Sequence, residues 1–149
     1  MPDDNKNLIT CVINELFNRK RTDLIEAFYT AECEGYCPDG PFRGRDGFQE
    51  FFRNYAAAFP DSRLHVNCIV AEDDRVVVHY TFEGTHTGIL AGFPPTGSTV
   101  RVPGIMISRI RDGWITEQYF VWDNLGPRRQ RWLASVAERQ MYEPVARVG

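Results

Sequence analysis

The chain is predicted to fold as a single α+β domain, with helices gathered on one side of a curved antiparallel sheet. Three observations carry that prediction. Over 45–59, Phe48, Phe51, Phe52, Tyr55, Ala56 and Phe59 recur at helical spacing and lay an aromatic stripe along one helix face. Over 63–87 the pattern changes to alternation, as two strands meeting at Asp73-Asp74. Over 83–124 three long strands are joined by a Gly/Pro-rich excursion (Gly88, Gly92, Pro94, Pro95, Gly97) and by a turn at Arg111-Asp112-Gly113-Trp114, where glycine supplies positive φ and proline presets it. Helices first and a run of strands after is the order of an α+β domain rather than of an alternating α/β one.

The remaining elements follow in chain order. Leu8, Val12 and Leu16, flanked by Ile9, Ile13 and Phe17, form a broad apolar stripe that predicts a first helix over 4–19. Thr22 is placed as the N-cap of a short second helix carrying Leu24, Ile25, Phe28 and Tyr29. A short strand over 33–37 has Glu34 and Tyr36 on one face and Cys33, Gly35 and Cys37 on the other, and Pro38-Asp39-Gly40-Pro41 ends it. Pro60 stops the aromatic helix. In the strand over 63–71, Leu64, Val66, Cys68 and Val70 share a face opposite His65 and Asn67. In the strand over 75–87, Val76, Val78, Tyr80 and Phe82 alternate with Val77, His79, Thr81 and Glu83. A last helix over 127–140, capped by Asp123 or Asn124, has only Trp132, Leu133 and Val136 for its stripe.

Composition narrows the function classes. At 149 residues, 43% hydrophobic and 25% charged, the chain suits one domain with a sizeable core. A net charge of −3 with no dominant cluster of Lys and Arg argues against nucleic-acid binding. No apolar run approaches the ~18 residues that span a membrane, and the polar start MPDDNKNL is no secretory leader, so a cytoplasmic protein is expected. Cys11, Cys33, Cys37 and Cys68 are irregularly spaced with no neighbouring histidine, which predicts free thiols in a reducing compartment and no metal centre.

The segments Gly84-Thr85-His86-Thr87-Gly88, Gly92-Phe93-Pro94-Pro95-Thr96-Gly97, Arg109-Ile110-Arg111-Asp112-Gly113-Trp114-Ile115 and Asp123-Asn124-Leu125-Gly126 stand in an informative order, preceded by Phe42-Arg43-Gly44-Arg45-Asp46. Their order and spacing resemble the SnoaL-like polyketide cyclases of the NTF2-like superfamily over nearly the whole chain. The resemblance implies an NTF2-like cone-shaped barrel, helices packed on the sheet around an apolar pocket, in a single domain over 1–149. It also implies secondary-metabolite chemistry on an aromatic polyketide, with neither metal nor organic cofactor. The chain departs from that pattern at two positions. The cyclases place an aspartate acid/base where this chain has Phe120 and a catalytic histidine where it has Met106, and neither side chain here transfers a proton. A hydroxylase-like or isomerase-like relative is therefore expected rather than an aldol cyclase. A cyclase with a relocated acid/base is the alternative.

If Phe120 faces the cavity as its family counterpart does, alternation brings Thr116, Gln118 and Trp122 to the same face, with Glu117 and Tyr119 opposite. Met106 likewise brings Gly104 and Ser108 inside. Similarity of the strand after the second helix to the related epoxide hydrolases turns Glu34 and Tyr36 inward. Either Glu83 or His86 reaches the mouth, according to whether Gly84 forms a bulge. The candidate catalytic groups are thus Glu34, His86 and Asp123, and the candidate substrate contacts are Tyr36, Phe51, Tyr55, Met106, Gln118, Phe120 and Trp122. Gln118 would donate a hydrogen bond to developing oxyanion charge. Each has a plainer role beside it: the aromatic stripe as core, His86 as a turn residue, Asp123 as a helix cap. His65 and His79 read as sheet residues.

Two classes of function are then open, an enzyme acting on a polycyclic apolar carbonyl compound and a non-catalytic ligand-binding or dimerisation module. Convergent ionisable groups in the pocket would favour the first, and a filled or wholly apolar cavity the second. A homodimer is expected through the outward sheet face, where Val77, Ile105, Ile107 and Val121 leave apolar surface uncovered. A reductase partner is implied only if the reaction is a hydroxylation.

Overall fold

The computed structural model describes residues 2–90 and 92–123. Helix α1 (Pro2–Val12) continues into a π-helical segment (Ile13–Asn18), followed by a 3₁₀ turn (Thr22–Leu24) and the short α2 (Ile25–Phe28). Strands β1 (Tyr29–Cys37) and β2 (Gly40–Arg43) form a hairpin, after which α3 (Gly44–Ala58) leads into β3 (Arg63–Glu72), β4 (Arg75–Thr85), β5 (Thr99–Arg111) and β6 (Trp114–Trp122). The six strands make one sheet in the order β2-β1-β6-β5-β4-β3. Every neighbouring pair is antiparallel except β1 and β6, which run parallel. Both edges stay open, so the expected barrel is a curved sheet that does not close among the described residues. No described helix is long and apolar enough to cross a membrane. The helix expected over 127–140 lies outside the described residues.

The aromatic stripe of α3 performs the packing its spacing demands. Phe48 and Phe52 are buried against the sheet, each side chain contributing roughly 1.5–3 kcal/mol by leaving water. They meet Ile9, Val12, Ile13 and Leu16 from the first helix and Val76, Val78, Met106, Ile115 and Phe120 from the sheet. Arg45 Nε donates to Tyr29 O at 2.9 Å, tying the start of α3 to the start of β1. Asn18 completes the edge of β3: its Oδ1 accepts from Leu64 N at 2.7 Å and its Nδ2 donates to Leu64 O at 3.2 Å, as a paired strand would.

Several expectations need correction. Thr22 is not an N-cap; it opens the 3₁₀ turn, with Arg21 at the cap position and no side-chain cap bond. Pro38-Asp39-Gly40-Pro41 does not simply end β1 but turns it into the hairpin partner β2. A bulge at Asn67 lies between the Val66–Tyr80 and Cys68–His79 pairs. It reverses the remaining residues of β3, so Ile69 and Ala71 pack on the core while Cys68 and Val70 face solvent. A second irregularity between Arg109 and Ile110 has the same effect in β6, where Ile115 rather than Thr116 is buried. No bulge interrupts β4 at Gly84: its pairing with β5 runs unbroken from Arg75–Arg109 to Thr85–Thr99.

Candidate active site

Between α3, the end of the π-helical segment and the inner face of β4, β5 and β6 lies a cavity of about 110 Å³ that opens to solvent. Its wall is mainly aromatic because α3 and the strands β4 and β6 turn rings toward each other. Phe51 stacks on Phe120 (centroids 5.0 Å apart, 29° between planes), and Tyr55 meets Trp122 edge-on at 5.5 Å. Phe59 packs edge-on against Phe82 at 5.2 Å. Such walls suit a flat apolar ligand.

Residues 86–90 and 92–98 belong to the crossing from β4 to β5 beside the cavity. Thr87 and Gly88 both donate backbone N–H bonds to Ala58 O, at 3.0 and 3.1 Å. Only glycine fits at 88, where a Cβ would lie 2.2 Å from Ala57 O. Leu90, Phe93 and Thr96 of this crossing line the cavity.

A few polar groups interrupt the apolar wall. Unbroken alternation along β4 carries His86 inward, where it is 4% exposed and its ring stacks on Phe59 at 5.2 Å. His86 Nδ1 lies 3.3 Å from Thr96 Oγ1, and its buried Nε2 has no hydrogen-bond partner among the described residues. Tyr55 Oη donates to Asp39 at 3.3 Å, and burial, then the Asp39 charge, pushes the Tyr55 phenol above its ordinary range. Burial first and the neighbouring Cys37 second do the same to Tyr80. Asp123 stands exposed at the rim. Lys20 and Ser62 complete the polar lining.

Of the residues picked from sequence, the structure brings His86, Asp123, Phe51, Tyr55, Phe120 and Trp122 to this cavity and leaves four outside it. Glu34 is a correction: it points outward, half-exposed, with Arg43 Nη2 3.4 Å away on β2. Tyr36 is another, 43% exposed and beside Tyr119 on the outer face. The physical reason is the small side chains between them. Gly35 faces inward under Phe42, whose ring lies 2.3 Å from where a Cβ would sit, and Cys33 and Cys37 are buried on the same face. Glu83 also stays outside, paired with Arg101 at 2.7 Å and with His65 at 3.2 Å.

Met106 and Gln118 face inward but form a solid floor below the cavity. Gln118 is fully buried, accepts a bond from Tyr29 Oη at 2.5 Å, and donates through Nε2 to Ser108 Oγ at 2.8 Å and Met106 Sδ at 3.3 Å. Both of its N–H donors are occupied, so it does not present a donor to a ligand. Asp39, Tyr80 and Lys20 were not singled out from sequence. Asp39 sits in a turn, Tyr80 in an alternating strand and Lys20 in a polar break between helices. Only the alternation that placed Val76 and Val78 inward marked one of them, Tyr80. Among the described residues no three His, Cys, Asp or Glu side chains converge as a metal site would.

No curated protein sequence matches the chain. Among solved structures, a SnoaL-like polyketide cyclase candidate from Jannaschia sp. CCS1 shares the fold at TM-score 0.77 and 20% identity, over 96% of this chain and 95% of that one. AclR of Streptomyces galilaeus, a candidate hydroxylase, is similar at TM-score 0.74 and 25% identity, over 93% and 98%. IdmH of Streptomyces antibioticus, a candidate polyketide cyclase, is similar at TM-score 0.73 and 26% identity, over 86% and 98%. The model of the SnoaL-like polyketide cyclases matches residues 8–131. With the NTF2-like architecture of helices on an open, curved sheet and an aromatic cavity between them, the chain belongs to the SnoaL-like polyketide cyclase family.

Proposed function

We propose that the cavity binds a flat, polycyclic carbonyl compound and that His86 moves a proton at the carbon next to its carbonyl. The observation that carries this reading is the buried, unpartnered Nε2 of His86 in an otherwise aromatic chamber. A buried polar atom without a partner is costly unless a ligand completes it. With Nδ1–H donated to Thr96 Oγ1, the neutral imidazole presents the Nε2 lone pair to the ligand. Nε2 takes the α-proton and an enolate forms; the imidazolium returns the proton to carbon, at the same or a conjugated position, and no electrons are exchanged. Tyr80, whose phenol burial keeps protonated, lines the same cavity further along β4. This chemistry uses neither the Phe120 nor the Met106 position.

1-Tetralone, a fused-ring aryl ketone with exchangeable hydrogens on the carbon next to its carbonyl, tests the reading by deuterium uptake from D2O followed by NMR. The wild type should catalyse exchange, and His86→Ala should slow it by about 100-fold or more. Exchange at the wild-type rate in His86→Ala would remove the assignment. Binding without exchange would favour a ligand-binding module. The 25% identity to AclR supports a second reading, hydroxylation of the same ligand with dioxygen and a reductase supplying electrons. Gain of one oxygen atom only when a reductase and NADPH are present would favour it.

A further inference from the structure

The polar groups of the cavity are sorted by charge across the sheet. Asp39 belongs to the β1–β2 hairpin and Asp123 follows β6, whereas His86 follows β4 and Ser62 precedes the edge strand β3, where Lys20 joins it. We propose that Lys20 is an anion-binding group of this cavity, so that the ligand carries a carboxylate or other anionic oxygen at the end seated on the β3–β4 side. The inference rests on the reading above, that the cavity binds a flat carbonyl compound, and adds the charge of that compound.

Lys20 occupies an unusual position for its residue type. Its φ of 57° is in the left-handed region, which costs a side chain with a Cβ about 1 kcal/mol and is ordinarily left to glycine or asparagine. That conformation folds the lysine back under the end of the π-helical segment. There Nζ donates to Ser62 O at 2.8 Å and Phe17 O at 3.3 Å. An ammonium has three donors, so one is left for the cavity that Lys20 lines. Both acceptors are neutral carbonyls, and among the described residues no carboxylate lies within ion-pair distance of Nζ. Asp61, the acid that acts on it electrostatically, is engaged elsewhere: its two oxygens accept from Thr85 N at 2.8 Å and Thr85 Oγ1 at 2.7 Å.

The surroundings make this cation receptive. Burial first and the like charge of Arg63 second hold the Lys20 pKa below its ordinary value, with Asp61 offsetting them only in part. An anionic oxygen brought to Nζ supplies the missing counter-charge in an apolar setting, where a charge-assisted hydrogen bond is strong. Ser62 links this group to the His86 side of the site. Ser62 N donates to Phe59 O at 3.0 Å, and Phe59 carries the His86 ring on its face.

The test compares anthraquinone-2-carboxylate with its neutral methyl ester, each titrated into the protein and followed by calorimetry. The wild type should bind the acid about tenfold or more tightly than the ester, the size expected of one charge-assisted hydrogen bond. Lys20→Met should bring the two within about twofold while leaving ester affinity in place. Lys20→Gly, which suits the left-handed backbone, should behave alike even if the methionine variant folds poorly. Equal affinity of the wild type for acid and ester overturns the proposal and leaves the cavity reading standing, since the ester has bound. Survival of the preference in the folded variants also overturns it and makes Lys20 only a strut for the helix end. If neither compound binds, the cavity reading and this proposal fall together.

Discussion

Phe120 lies face to face with Phe51, ring centroids 5.0 Å apart, in the core of the sheet–helix contact. The ring also touches Phe17 at 5.9 Å and is 1% exposed, so this position is a packed hydrophobe rather than a proton-transfer group. Phe120→Asp should destabilise the fold by about 3–5 kcal/mol, through a lost ring and a buried carboxyl without a partner. Urea denaturation followed by tryptophan fluorescence measures the loss. The variant should gain no aldol cyclase activity, because the Met106 position still offers no second proton-transfer group.

Glu34 gives the opposite expectation. Its partner Arg43 is exposed, and surface pairs of this kind contribute between zero and about 1 kcal/mol. Glu34→Ala should therefore leave the melting temperature within a few degrees and ligand affinity unchanged. A loss of ligand binding in a folded Glu34→Ala protein would show that β1 presents its other face to the cavity.

The thiols divide by burial. Cys33 and Cys37 lie inside the sheet, and burial pushes the Cys33 thiol up to about 11, whereas Cys11 and Cys68 are exposed. A raised thiol pKa means little thiolate, and thiolate is the reactive form. Iodoacetamide at pH 8 should modify Cys11 and Cys68 within minutes and reach Cys33 and Cys37 only in denaturant. Peptide mapping by mass spectrometry reads the order directly.

The outer face of the sheet exposes Tyr36, Ile105, Ile107, Tyr119 and Val121 side by side on β1, β6 and β5. We infer that a second copy of the chain covers it. The charges around this apolar surface come in both signs (Glu34 with Arg43, Glu83 with Arg101, Glu117 with Arg109), as a surface that pairs with itself requires. Light scattering should give twice the chain mass at micromolar concentration, and Ile105→Glu with Val121→Lys should give the monomer. A wild-type monomer would overturn the inference.

The legible parts of the sequence were those where a period ran uninterrupted. The stripe from Phe48 to Phe59 placed α3 and the cavity wall, and the alternation from Val76 through Gly84 carried His86 inward without any adjustment. Where a single extra residue enters a ladder, the period survives in the letters but not in space. Asn67 and Thr116 both sit at such places, and beyond each the buried face changes sides. Glu34 shows a different limit. Alternation paired it with Tyr36 correctly, yet which of two faces is interior depends on what packs above, and Phe42 over Gly35 is a contact between strands that periodicity does not record. Lys20 was hidden for a third reason: a lysine in a polar break carries no pattern, and only the folded backbone brings it under Phe17 and Ser62.

The floor formed by Tyr29, Ser108, Met106 and Gln118 bears on the order of events in a catalytic cycle. These four side chains are tied by hydrogen bonds and wholly buried, so the deep end offers no exit. On the catalytic reading proposed above, what enters the cavity leaves by the side it came from, and substrate and product share one doorway and one set of aromatic walls. A second substrate molecule has to wait until the first product has gone, and accumulated product should slow turnover as a simple competitor.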